Sequence, residues 1–315
     1  MAEAVGVDLG GTKMLVGVVD SHRRVLHRAT ASSSGLGQDE LVATLERALR
    51  AAIEARPDVT AIGLGIPCTI DRERGAAIMA VNLELADLPI RDLIAERLGL
   101  PVELDNDANL ALLAEHRFGS ARGAANAAML TIGTGIGGGL IVNGELYRGS
   151  IGAAGEFGHI VIEADGPPCQ GNCPNRGCVE SLASGRAIAR EGMAAAAREP
   201  GSALGRAAAD GTELDGAMVT DAALEGDQTA RDVLALVGRR IGVALSSIAN
   251  AIDPDVIVIG GGVIRAGELL VGAARSELRA RALRPMNGTR VEAAELGPDA
   301  GMVGAATLAI EGGAA

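Results

Sequence analysis

Residues 127–142, AAMLTIGTGIGGGLIV, hold the glycine spacing that decides the fold. Gly133, Gly135 and Gly138 satisfy G-x-G-x-x-G, the fingerprint of a dinucleotide-binding βαβ unit, but that fingerprint needs a helix after its glycines. The chain instead continues as LIVNGELYRG from Leu140, an apolar run and then Asn143-Gly144, a hairpin signal. The stretch therefore reads as a strand over 127–132, a glycine-rich turn over 133–139 and a second strand over 140–142. The fingerprint is a decoy.

The same pattern stands near the start of the chain. Residues 5–8 form a short apolar strand, 9–13 a turn and 14–19 a second apolar run, again a hairpin. A P-loop would need GxxxxGK[ST] opening a helix, and VDLGGTK fits neither the spacing nor the context. The turn instead offers the backbone N–H groups of Gly10, Gly11 and Thr12 to an anion, with Asp8 set to hold a cation through water. Lys13, inside this turn, is the only lysine in the chain. Taken alone, each turn could be an ordinary hairpin. Two of them, one early in each half, predict a duplicated fold that grips one polyphosphate between its halves.

Outward from these hairpins, strands alternate with helices, which predicts an α/β class with helices on the sheet faces. A helix is expected over 39–56, with Leu41, Val42, Leu45, Leu49, Ala52 and Ile53 on one face, then a buried strand over 61–66 stopped by Pro67. The Gly65-Ile66-Pro67 corner could bring backbone close to a ligand. A helix over 87–98 ends at Gly99 and Pro101, and a strand over 102–104 leads into DNDAN, residues 105–109, opening a helix that runs to 118. Helices over 181–197 and 229–251 flank a polar excursion at 200–215. A strand over 256–259 then runs into Gly260-Gly261-Gly262 and a following helix, a corner open to a flat ligand such as adenine. A last helix covers 302–310. The length of 315 residues predicts two domains sharing a cleft. Their expected extents are 1–118, with 301–315 returning to it, and 119–300.

The densest chemistry lies at 155–180, GEFGHIVIEADGPPCQGNCPNRGCVE. Cys169, Cys173 and Cys178 can converge on one ion, and His159 stands a short strand upstream as a fourth ligand. Three sulfurs and an imidazole suit a closed tetrahedral zinc site, which is structural because it keeps no open position for water. The alternative is a disulfide with one stray thiol. Glu156 and Glu180 bracket the cluster, so a zinc clamp would fix where their carboxylates point. At DNDAN, one Asx residue suffices to cap the helix, and three adjacent ones leave room for function at the carboxyl end of a strand.

Composition narrows the partners. A net charge of −12 argues against a nucleic-acid partner, which would need clustered Lys and Arg. Aromatic residues make up 1% of the chain, so ring stacking on sugars or bases is not a recognition device here. The opening residues carry no basic segment before a long apolar run, and no stretch reaches the length of a membrane span. These features predict a cytoplasmic protein whose reduced thiols are available to a metal.

In order along nearly the whole chain, DLGGTK from Asp8, NDAN from Asn106, GTGIGGG from Gly133, EFGH from Glu156, GC-x-E from Gly177 and the glycines after Ile259 resemble the ROK family (repressor, open reading frame, kinase), within it the glucokinase branch. The resemblance implies an actin-like (ribonuclease H-like) two-domain sugar kinase with ATP and sugar in its cleft, phosphorylating glucose at the 6-hydroxyl. It implies Asp107 as the base facing that hydroxyl, with Asn106, Glu156, His159 and Glu180 on the others and Gly65 and Asn82 as further sugar contacts. Asp8, Gly10, Gly11, Thr12, Lys13, Gly133, Thr134 and Gly135 fall on the family's phosphate and magnesium positions, and Gly261 and Gly262 near its adenosine site. His159 would then serve zinc through one ring nitrogen and sugar through the other. Mg-ATP and a structural zinc are the implied cofactors, and a homodimer or homotetramer the implied assembly.

Two departures stand out. The family usually separates its first two cysteines by one residue, whereas Gln170, Gly171 and Asn172 stand between Cys169 and Cys173; Cys68 replaces the glycine often found after GIP. Part of the family consists of DNA-binding repressors with a helix-turn-helix ahead of the first glycine motif. Here only a few residues precede Val5. A non-catalytic sugar-binding protein, or a kinase for N-acetylmannosamine, fructose or allose, are the remaining alternatives.

Overall fold

The structure, a computed structural model, describes residues 2–80 and 83–312, and of Met79 the backbone only. The first hairpin is β1 (Glu3–Leu9) paired antiparallel with β2 (Lys13–Asp20), and β3 (Val25–Ser32) extends it. Helix α1 (Gln38–Ala55) leads to β4 (Val59–Ile66), which returns parallel to β1. A small three-stranded sheet comes next, β5 (Cys68–Asp71), β6 (Ala76–Ala80) and β7 (Ala86–Leu88), then α2 (Ile90–Leu98), β8 (Val102–Asn106) and α3 (Asp107–Phe118). The main sheet is ordered β3-β2-β1-β4-β8.

The second glycine motif opens an identical plan. β9 (Ala127–Ile132), β10 (Ile136–Val142) and β11 (Glu145–Leu146) stand beside β12 (Val256–Gly260) and β13 (Arg290–Ala293) in the order β11-β10-β9-β12-β13. Between β11 and β12 lie the cysteine stretch and five helices, α4 (Val179–Ala183), α5 (Gly185–Arg198), α6 (Ala203–Ala209), α7 (Gly216–Leu224) and α8 (Gln228–Ile252). α9 (Glu268–Arg281) comes after β12, and α10 (Ala300–Gly312) closes the chain. Two compact units divide the chain: 1–123 with 139–154 and 295–315, and 124–138 with 155–294.

Alternation along β1 sets the first site residue. Val5, Val7 and Leu9 point into a core shared with Leu41, Leu45 and Leu49 of α1, while Ala4 on the other face packs with Met302, Val303 and Ala306 of α10. Asp8 falls on the α10 face, beside Gly301 in that helix's first turn, where an added Cβ would lie 2.7 Å from the Asp8 carboxyl carbon. The helix lies directly on the strands because Gly6 and Gly63 have no side chains. A Cβ on either would overlap the carbonyl of Met302 or Ala305.

Several sequence expectations shift. The helix expected over 87–98 begins at Ile90, because Pro89 keeps its predecessor out of the helical region and residues 86–88 pair with β6 instead. The expected helix over 181–197 breaks at Ser184, whose hydroxyl caps α5 by accepting the Ala187 N–H. The excursion at 200–215 contains α6, and the glycines at 260–262 lead into a 3₁₀ turn, Gly262–Ala266, before α9. β10 starts at Ile136, so Gly137, Gly138 and Gly139 belong to the strand rather than the turn. A Cβ at Gly138 would overlap the carbonyl of Gly155, and one at Gly139 would lie 3.1 Å from that of Ala108.

Candidate active site

In the first unit the site grows from the junction of β8 and α3. Asn106 caps α3, its Oδ1 accepting the N–H groups of Ala108 at 2.9 Å and Asn109 at 3.3 Å. Asp105 is 2% exposed and accepts from Arg148 Nε at 2.6 Å, Arg72 Nη1 at 3.1 Å and Asn109 Nδ2 at 3.0 Å. Two of the three Asx residues thus hold the corner itself. The third, Asp107, is the first residue of α3, where the positive end of the helix dipole favours a carboxylate.

Opposite it in the same unit is Asp8. Burial, and after it the nearby Asp107 carboxylate, push Asp8 up to about 7, with Lys13 pulling the other way. A carboxylate made costly by burial and by a like charge calls for a cation. Gly65 of β4 sits between them in register, opposite both Asp8 and Asp105, where a Cβ would lie 3.7 Å from the Asp107 Cα. Cys68 is buried close by, and burial with Asp107 pushes its thiol up to about 12, so it stays neutral. The Gly10–Lys13 turn is closed by Gly10 N–H to the Lys13 carbonyl at 3.0 Å and by the Ser33 hydroxyl on the Gly10 carbonyl at 2.6 Å; Thr12 and Lys13 are exposed. Asn82 lies outside the described residues.

The second unit carries the other glycine turn. Gly133 and Thr134 are exposed and line a cavity of about 640 Å³ together with Gly185, Arg186, Leu214, Gly262 and Arg265. Gly261 adopts φ +84° against the backbone of Ile132, a conformation open to glycine. The turn is held from behind. The Gly185 N–H donates to the Gly133 carbonyl at 2.8 Å, and the Ile136 N–H donates to Glu180 Oε2 at 2.7 Å. Gly135 leaves room for that carboxylate, since a Cβ there would lie 2.5 Å from it. Arg186 and Arg265 carry no signal in the sequence, because no local pattern separates them from the other arginines.

The cysteine stretch folds as expected for a metal centre. Donor atoms of His159, Cys169, Cys173 and Cys178 all lie within 4.8 Å of one another, with Cys169 Sγ 3.5 Å from His159 Nδ1 and Cys173 Sγ 3.9 Å from Cys178 Sγ. The edges of a zinc tetrahedron with these ligands are roughly 3.5–3.8 Å, close to these two separations, so the donor set is compatible with a zinc ion. All four cysteines are free thiols, and a disulfide is not formed. Burial and the adjacent thiols push Cys169 up to about 12; a bound dication would reverse this, since a coordinating thiol is deprotonated. Cys178 pairs by backbone with Val161 and is also the residue before α4, which sets Glu180 in that helix's first turn. His159 turns Nδ1 to the thiols and Nε2 toward Glu156 Oε2, 3.8 Å away. The protein around Glu156 strips solvation from its carboxyl and raises its pKa, His159 opposing and Glu180 adding to the rise.

Two sheets of one plan, each headed by a glycine turn, with a carboxylate corner in one unit and a cavity in the other, define an actin-like α/β fold of the sugar-kinase type. The chain belongs to the ROK family, whose description matches residues 4–312. It is 35% identical to a glucokinase of Streptomyces coelicolor over 99% of this chain and 98% of that one, and 36% identical to a glucokinase of Halalkalibacterium halodurans over 96% and 94%. Among solved structures it resembles a ROK family glucokinase from Streptomyces griseus in complex with glucose and AMPPNP, at 36% identity and a TM-score of 0.89, covering 98% of this chain and all of that one.

Proposed function

We propose that this chain is an ATP-dependent hexose kinase that transfers the γ-phosphoryl group of ATP to the 6-hydroxyl of glucose. The observation carrying this reading is the carboxylate corner: Asp107 at the start of α3, near enough to raise the pKa of Asp8, with β1 running from Asp8 into a glycine turn whose Thr12 and Lys13 are exposed. The similarity to glucokinases over nearly the full length supports glucose as the acceptor.

Phosphoryl transfer asks a protein mainly for positioning and charge neutralisation. Asp107 orients the sugar hydroxyl and takes its proton as the oxygen bonds to the γ-phosphorus; the bond from that phosphorus to the β-bridging oxygen breaks, and ADP leaves. Asp8 holds the magnesium of Mg-ATP through water. The N–H groups of Gly11, Thr12, Thr134 and Gly135 and the ammonium of Lys13 donate to phosphate oxygens, Gly10 and Gly133 shape those turns through their own N–H bonds to the Lys13 and Gly135 carbonyls, and Gly261 and Gly262 border the adenosine. Asn106, Glu156, His159, Glu180, Gly65 and Asn82 hold the other hydroxyls of the sugar. Zinc on His159, Cys169, Cys173 and Cys178 is structural, and the second ring nitrogen of His159 remains for the sugar. The enzyme works in the cytoplasm as a dimer or tetramer; no helix among the described residues is long and apolar enough to cross a membrane.

The test is a coupled ADP-release assay with Mg-ATP against glucose, mannose, fructose, allose and N-acetylmannosamine. A strong preference for glucose is expected. Turnover with another of these sugars alone would change the acceptor, and turnover with none would overturn the kinase reading in favour of a sugar-binding protein.

A further inference from the structure

The three residues between the first two cysteines begin with Gln170, whose side chain bonds to the start of α5. Its Oε1 accepts from Arg186 Nη1 at 2.7 Å, and its Nε2 donates to the Ser184 hydroxyl at 3.2 Å. Ser184 caps α5, and Gly185 next to it braces the Gly133 carbonyl. Arg186 lines the cavity beside Gly133 and Thr134.

The two cavity arginines are held differently. Arg265 is neutralised by an ion pair with Asp221 at 2.5 Å, whereas Arg186 makes no ion pair among the described residues and is anchored by a neutral amide. An amide acceptor fixes a guanidinium without cancelling its charge. In a chain of net charge −12, that leaves Arg186 as a cation for an anionic ligand.

We propose that Gln170 is a positioning residue for the nucleotide: from the metal loop it holds Arg186, still charged, at the cavity where ATP phosphates or ribose bind. The metal loop thereby sets nucleotide affinity directly, apart from any effect on the sugar. This rests on the kinase reading above.

The experiment is calorimetric titration of the full chain with Mg-AMPPNP, and separately with glucose, alongside zinc content. Gln170→Ala is expected to weaken AMPPNP binding about fivefold, a typical loss for one exposed charge-assisted hydrogen bond, with glucose affinity and zinc unchanged. Gln170→Glu keeps an acceptor but neutralises Arg186, so it is expected to weaken AMPPNP binding at least as much and to flatten its salt dependence. Wild-type AMPPNP affinity in either variant, or an equal loss for glucose, overturns the inference. Should Gln170→Ala shed zinc, Arg186→Ala decides: unchanged AMPPNP binding overturns it, and a loss with zinc retained supports it. A wild-type chain that binds no nucleotide overturns the kinase reading and this inference together; binding that Gln170→Ala leaves intact overturns only the inference.

Discussion

In the first sheet, β1 ends in Asp8-Leu9 and its parallel neighbour sets Gly65 opposite Asp8; in the second, β9 ends in Thr131-Ile132 and β12 sets Gly260 opposite Thr131. The backbone plan, the hairpin and the facing glycine are the same. The carboxylate is not. In the first unit it belongs to the strand itself and is partly buried, close to a second acid, with its pKa raised to about 7. In the second it arrives from outside the sheet, as Glu180 on α4, and one of its oxygens accepts the Ile136 N–H. One sheet therefore stores an unmet demand for a cation, and the other presents a turn braced in advance. A repeated fold carries different chemistry in its two units because the segments between equivalent strands differ: α1 alone between β3 and β4 against the cysteine stretch and five helices between β11 and β12, and a small β-sheet with α2 between β4 and β8 against α9 between β12 and β13.

The largest expected effect lies at the corner of the first unit. Asp107→Asn removes the proton acceptor while keeping the helix start, and should lower kcat by about 10²- to 10⁴-fold with glucose affinity largely intact. ADP-release kinetics and glucose titration check it, and equal kcat in variant and wild type would sink the role of Asp107.

Next comes the metal module. Freshly purified, reduced protein is expected to carry one zinc per chain, and Cys178→Ser to lose it together with roughly 10 °C of Tm. Metal analysis finding no zinc in the wild type would refute the clamp and leave the Val161–Cys178 backbone pairing and the Ile136 N–H to orient Glu180.

Asp8 sharpens the comparison through pH. Its folded pKa, about 7, stands above its ordinary value of 3.8. The folded state thus binds the proton more tightly than the unfolded one, and this contribution to stability, complete below pH 3.8, is lost as pH rises through about 7. Asp8→Asn should therefore raise the Tm of the ligand-free protein by roughly 2–4 °C at pH 8 and by little at pH 4, while abolishing turnover with Mg-ATP. A Tm gain independent of pH would show that Asp8 does not titrate in this window.

The smallest effect is at the start of α5. Ser184→Ala removes the hydroxyl that caps the helix and is expected to cost about 1 kcal/mol, read as a shift in the denaturation midpoint at unchanged slope. No shift would mean that the hydrogen bond from Gly185 to Gly133 holds this end of the turn alone.

Both hairpins were legible because a strand-turn-strand pattern is local: apolar runs of strand length, with no helix-length segment after the glycines. The cysteine–histidine cluster was legible for a related reason, since three thiols and an imidazole within 20 residues leave few other arrangements. The DNDAN corner was legible only in outline. The capping role of Asn106 follows from the residue itself, but the burial of Asp105 depends on Arg72 and Arg148, 33 and 43 residues away. The cavity was the least legible part. Leu214, Arg186 and Arg265 join it from separate helices and turns, and Gln170 shows in the sequence only as a spacing anomaly.

The sequence by itself determined the α/β class, the duplicated hairpins, the cysteine–histidine cluster and the family, because each depends on residue chemistry at short spacing. Only the tertiary structure decided that Asp8 faces the first turn of α10, that Glu180 braces the second glycine turn and that Gln170 holds Arg186. Those contacts arise when strands and helices distant in the chain pack within van der Waals reach, at glycines whose missing side chains make the approach possible.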